Sequence, residues 1–155
     1  MKNLLKKVFV IMLAIFIILL QTEDVEAAKI SKKNIEDIYN FVVEDMWNDC
    51  ICNFHWYYEY RTDSVGNEMN TEETLAKFNK VMKKAKKWDK VVKSLKGKKY
   101  KKLKKHWKVA YSEAKKIQKK LNKADFNAMR ESNKYYNLGY KKFEKYMYKI
   151  MEDFY

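Results

Sequence analysis

Apolar residues along this chain recur at intervals of three and four, separated by runs of charge, and the pattern breaks in few places. From Ser31 to Arg61, the residues Ile35, Ile38, Tyr39, Val42, Met46, Cys50, Phe54 and Tyr57 fall on one helical face. Asp63 to Asn70, with Gly66 and Asn67 inside it, reads as a loop. Asn70 then stands as an N-cap with Glu73 three positions on, the spacing of a capping box. A second helix follows from Thr71 to about Lys96, its face marked by Leu75, Phe78, Met82, Ala85, Val92 and Leu95, and Gly97 is placed to close it. The third, from Lys98, is the most regular, with Tyr100, Leu103, Trp107, Ala110, Ala114, Ile117 and Leu121 on its apolar stripe. A fourth carries Met129, Tyr136, Phe143, Met147, Ile150 and Phe154.

The join between the third and fourth stretches is the ambiguous one. Asn122 and Asp125 suit a C-cap and an N-cap, but no Gly or Pro marks a turn, and the apolar phase drifts little from Leu121 to Met129. The favoured fold is all-α, an antiparallel up-down bundle of about four helices with coiled-coil-like packing. The alternative has three helices, the last very long. Gly139 sits on the apolar phase of the fourth stretch and marks either a close helix crossing or a kink.

Ahead of the helices the pattern changes character. Lys2, Lys6 and Lys7 precede a 13-residue uncharged apolar run, Val8 to Leu20, and a polar stretch then leads to Ala27 and Ala28. Val25 and Ala27 fit the −3 and −1 positions of a cleavage site, so residues 1–27 read as a signal peptide and 28–155 as one helical domain. The expected location is secreted or extracytoplasmic. An uncleaved N-terminal membrane anchor is the alternative, although thirteen residues span only about 20 Å of a hydrocarbon core of roughly 30 Å.

Composition narrows the class further. The 155 residues include no proline, three glycines and two cysteines, and 47% are hydrophobic. A chain so poor in helix breakers favours long helices over turn-rich β structure. Two cysteines two residues apart cannot staple a small disulfide fold, and this much apolar and aromatic content can fill a core.

Charge is distributed unevenly. The formal net charge is +14, yet residues 29–76 are net −6 while residues 77–123 carry 21 lysines against Asp89 and Glu113, net +19. A hairpin of the second and third helices would set two lysine-rich faces side by side and project a strong positive potential. Lys83, Lys84, Lys87, Lys101, Lys104, Lys105 and Lys108 represent that surface. With only Arg61 and Arg130 as arginines, the chain lacks the planar forks that read phosphate geometry, so sequence-specific nucleic-acid binding is not expected. Two plainer readings compete: acids of the first helix pairing with the lysine face, or lysines that serve only solubility.

Candidates for chemistry concentrate in Cys50–Tyr60. Cys52 and His55, three apart, with Asp45, Asp49 and Glu59 nearby, have donor types that zinc accepts, but not the paired Cys and His spacing of a structural site. No metal or other cofactor is therefore assigned. Cys50 reads as core, while Cys52 stays open between a half-exposed thiol and a bridge to a second chain. With no nucleophile–base–orienter arrangement, Gly-rich phosphate loop or HExxH pairing in the sequence, no enzyme is expected. Trp56, Tyr57, Tyr58 and Tyr60 exceed what one buried face can absorb, and Trp56 and Tyr58 are the expected contacts for a protein partner.

The leading functional expectation is an exported, non-enzymatic protein whose lysine-rich hairpin associates with anionic envelope material, either wall polymer or lipid headgroups. The second is a secreted interaction module or effector using the aromatic end of the first helix. A third, membrane-disrupting, rests on the cationic amphipathic third helix and requires the fold to open. Oligomeric state carries no signature in the sequence.

Overall fold

A computed structural model describes residues 32–132 and 134–153. The apolar run Val8–Leu20, the cleavage site and Phe154 lie outside these residues. The described chain is helical, with one isolated bridge, Thr62 to Glu68, in the first loop. No helix among the described residues is long and apolar enough to cross a membrane.

Helix α1 is one continuous rod in three consecutive pieces, Lys32–Asn40, Phe41–Ile51 and Cys52–Tyr60. Its middle piece is wound as a π-helix, and Cys52 still donates its N–H to the Trp47 carbonyl five residues back. The sequence supplies a reason. Ile38, Val42, Met46, Cys50 and Phe54 are spaced by four without exception, and all are buried. An α-helix advances 100° per residue, so each four-residue step overshoots by about 40° and Phe54 would end up about 160° away from Ile38. Winding the middle more loosely holds the whole ladder on the core side. Asn53 supports this stretch by donating to the carbonyls of Asn48 and Asp49, both at 3.3 Å.

Arg61 ends α1 in the left-handed conformation (φ 65°) and its N–H returns to the Tyr57 carbonyl at 3.0 Å. In the loop that follows, Asp63 accepts from the N–H groups of Val65 and Asn67. Helix α2, Thr71–Ser94, starts at the expected N-cap: Asn70 accepts from the Glu73 N–H at 3.1 Å, while the Glu73 carboxylate meets the Asn70 side-chain amide instead of the backbone N–H that a full capping box uses. Gly97, at φ 106°, lies in the turn after it. A 3₁₀ turn, Lys98–Tyr100, leads into α3, Lys101–Leu121.

The break after α3 is real, which removes the arrangement with one very long last helix. Asp125 caps a short helix α4, Phe126–Arg130, by accepting from the Ala128 N–H at 2.9 Å. The expected single fourth helix is overturned, because residues 132 and 134–140 lie outside helical geometry before α5, Lys141–Glu152. Gly139, at φ 81°, accordingly belongs to this connection and marks neither a helix crossing nor a kink. Asn137 accepts from its N–H at 2.7 Å, while Leu138 is buried as an anchor.

Cross-links define the pairwise packing. Phe41 lies against Trp88, Asp45 pairs with Lys84 and Asp49 with Lys77, so α1 and α2 run antiparallel. Asn79 bonds with Gln118 and Asn122, and Trp107 donates to Asp89 at 3.1 Å, so α2 and α3 also run antiparallel. Glu113 meets Lys142 and His106 meets Asp153, giving the same sense for α3 and α5. The core between them is built from Phe54, Tyr57, Phe78, Trp107, Leu121, Phe143 and Ile150, among others.

Candidate functional site, a lysine-rich hairpin

The α2–α3 hairpin carries the charge. Its apolar stripes turn inward (Phe78, Met82, Ala85 and Val92 on α2; Leu103, Trp107, Ala110 and Ile117 on α3), which forces the intervening lysines outward. Lys83, Lys84, Lys87, Lys101, Lys105 and Lys108 are exposed and Lys104 is half-buried. Lys84 differs from the rest because it pairs with Asp45 at 3.5 Å.

Neutralisation by the first helix is limited. Among the described residues the acids of α1 pair with two hairpin lysines, Asp45 with Lys84 and Asp49 with Lys77. Both pairs are well exposed to solvent, where such contacts stabilise weakly. The Lys77 ammonium is held above its usual range, first by the hydrogen bond to Asp49. Within the hairpin, Asp89 holds Lys93 at 2.6 Å while its other oxygen accepts from Trp107. Glu113, 8% exposed, receives Lys116 at 2.8 Å and Lys142 at 3.1 Å. Burial pushes its carboxyl up, but hydrogen bonds from the two lysines outweigh that effect and leave it below the ordinary value.

The lysines of α3 fall into two groups. One lies at the α2–α3 turn and the first turns of α3, from Lys98 to Lys108, and the other runs from Lys115 to Lys123. Val109, Tyr111 and Ser112 occupy the gap between them and are half-buried. In the second group Lys115 lies over the Tyr111 ring at 4.5 Å and Lys116 binds Glu113. Lys120 donates to the Asn137 carbonyl and lies over the Tyr58 ring at 5.7 Å. In the first group, Lys99 lies over the Tyr100 ring. Among the described residues Lys98, Lys101, Lys102, Lys105 and Lys108 carry no ion pair.

The aromatic end of α1 splits the two expected contact residues. Trp56 is 38% exposed and lies 5.1 Å from the Tyr60 ring. Tyr58 is 3% exposed, in edge contact with Tyr136, so it is a core residue rather than a partner contact. The correction has a simple cause: the segment 134–140 folds back over this side of α1, with the Tyr136 N–H reaching the Tyr58 carbonyl at 3.4 Å. Tyr60 and Tyr135 are more exposed than Trp56. Tyr135 donates to Glu59 at 2.8 Å, and His55 sits 3.2 Å from the same carboxylate, its ring tilted against Tyr140 with centroids 4.0 Å apart.

This arrangement disperses the Cys52–His55 acidic cluster. Asp45 and Asp49 face α2, and Glu59 serves His55 and Tyr135. Among the described residues no group of three or more His, Cys, Asp or Glu side chains is gathered as a metal site would need. Both cysteines are free, Cys50 buried and Cys52 half-buried. Burial pushes the Cys50 thiol up to about 12 and raises that of Cys52, the latter against a hydrogen bond with Trp56. Neither is a ready thiolate.

Arg61 is the functional-looking residue that sequence reasoning passed over. Its guanidinium donates to the carbonyls of Met129 at 2.6 Å, Tyr57 at 3.0 Å, Tyr58 at 2.7 Å, Ser132 at 3.2 Å and Lys134 at 2.6 Å. It also lies over the Tyr136 ring at 5.1 Å. All its donors serve the fold, so it is a tie rather than an anion site. Compared with protein-family models, with curated proteins and with solved structures, the chain matches none.

Proposed function

We propose that this is an exported, non-enzymatic helical protein whose α2–α3 hairpin associates electrostatically with anionic envelope material, wall polymer or lipid headgroups. The proposal takes the helices as one up-and-down bundle following a cleaved leader, in line with the antiparallel pairings of α1 with α2, α2 with α3 and α3 with α5. One observation carries the reading. The hairpin lysines Lys83, Lys87, Lys101, Lys105 and Lys108 project into solvent and pair with no carboxylate among the described residues, so the acidic first helix leaves most of the positive potential standing. Lysine ammoniums on flexible stems attract anions without demanding a fixed geometry, which suits a repetitive anionic surface better than one small ligand.

Co-sedimentation with anionic vesicles and with cell-wall fragments tests this at low and high salt. Binding at low salt that is released as the screening length falls below about 8–10 Å is the expected result. Binding indifferent to salt, or none to either material, overturns it.

A second reading draws on the exposed Trp56 and Tyr60 pair with Tyr135 beside it. Rings of this kind anchor protein partners. It predicts that Trp56→Ala with Tyr60→Ala abolishes capture of a protein partner that the lysine substitutions leave intact.

A further inference from the structure

Several elements converge on the end of the molecule where α2 turns into α3. Phe41, near the start of α1, packs against Trp88 of α2 and Trp107 of α3, with ring centroids 6.1 and 6.4 Å away. The last turn of α5 arrives through the contact of Asp153 with His106 at 2.7 Å. Residues 90–108, which form the turn and its flanks, contain ten lysines and no carboxylate. Of the acids that neighbouring segments bring here, Asp89 is taken by Lys93 and Trp107 and Asp153 by His106. Glu36, Asp37 and Glu152 leave a large positive excess.

We infer that this tip docks end-on against anionic lipid headgroups, with Lys96, Lys98, Lys99, Lys101, Lys102 and Lys105 as the contact set. The inference rests on the electrostatic reading above and names its surface. Two observations favour a lipid surface over an extended polymer. A polymer chain needs a lengthwise track, and the lysine track on α3 is interrupted at Val109–Ser112, beyond which Lys115, Lys116 and Lys120 are engaged within the molecule. A convex turn carrying many like charges instead meets many headgroups of a flat array at once. Second, Tyr100 is half-buried at the tip, a side-chain type that settles at a membrane–water boundary.

The test compares two charge-matched variants of the full chain. The tip variant changes Lys98, Lys99, Lys101 and Lys102 to Gln, and the distal variant changes Lys80, Lys115, Lys119 and Lys123 to Gln. Each loses four positive charges, and thermal melts confirm that both fold. The readout is the salt-sensitive part of binding to mixed phosphatidylglycerol–phosphatidylcholine vesicles, with pure phosphatidylcholine vesicles and soluble poly(glycerol phosphate) as the other arms. The tip variant is expected to lose more than about a hundredfold in affinity for the anionic vesicles and the distal variant less than about tenfold, since each lysine at the surface counts for roughly fivefold. Equal losses in the two variants overturn end-on docking while leaving the electrostatic reading in place. Tight binding to poly(glycerol phosphate) without binding to vesicles overturns the lipid assignment. Wild-type binding to neither anion removes both readings together.

Discussion

At the residue scale, Arg61 determines more of the local structure than any other side chain near the C-terminal end of α1. It accepts a left-handed backbone, costly for a side chain with a Cβ, and in return ties α1 to the segment that follows α4. Arg61→Lys keeps the charge and loses the fork. It is expected to destabilise the fold by about 2–4 kcal/mol in urea titration, because several half-buried carbonyls lose their donor. Arg61→Gly relieves the backbone conformation and still destabilises; a variant more stable than wild type would mean that the hydrogen bonds contribute little. The cysteines give a second expectation at this scale. With its thiol pushed up to about 12 by burial, Cys50 resists alkylation at neutral pH until the protein is unfolded, whereas half-buried Cys52 reacts slowly. Mass spectrometry after iodoacetamide treatment, with and without urea, checks this, and rapid labelling of Cys50 in the folded protein would contradict it.

At the element scale, the helices that sequence reasoning located best are those with sharp local punctuation. Asn70 with Glu73, Gly97, and Asp125 each sit at an observed boundary, since a cap or a turn is encoded within a few residues. The segment from Glu131 to Tyr140 was hidden for the opposite reason. Its backbone is satisfied by Arg61 and Lys120 from distant parts of the chain, and Tyr136, Phe143 and Met147 allow one continuous helical phase across it. Asn137 beside Gly139 was the available signal. The π-wound stretch was legible in the unbroken four-residue ladder from Ile38 to Phe54, which a tally of three- and four-residue steps overlooks.

Glu113 joins α3 to α5 through Lys142. Its carboxyl is held below the unfolded value, so its stabilisation is present above about pH 4.3 and is lost as pH falls through the lower, folded value. Glu113→Gln is therefore expected to lower stability at neutral pH by no more than about 1 kcal/mol, the lysines being well exposed. The deficit should shrink in acid. A deficit that grows below pH 4 would reverse the assigned sign.

At the scale of the whole molecule, the sequence charge of +19 on residues 77–123 becomes a surface with a direction. Packing turns the apolar stripes of α2 and α3 inward and presents the lysines outward, and α1 covers only part of them with acids at Asp45 and Asp49. The candidate site was thus readable as composition, whereas the division between free lysines at the α2–α3 turn and engaged ones farther along α3 was not. Lys115 over Tyr111 and Lys116 on Glu113 are local pairs within α3, but the engagement of Lys120 depends on Tyr58 and Asn137, which arrive from distant segments. Tyr58 shows the same limit, since only the return of residues 134–140 makes it core.

The most direct measurement is the affinity for anionic vesicles across a salt series, for wild type and for a variant with Lys83, Lys87, Lys101, Lys104, Lys105 and Lys108 changed to Gln. Wild-type affinity is expected to fall steeply as salt rises, while the variant binds weakly at every concentration with a much flatter dependence. Equal affinities for the two proteins, or wild-type binding unmoved by salt, would contradict the electrostatic reading.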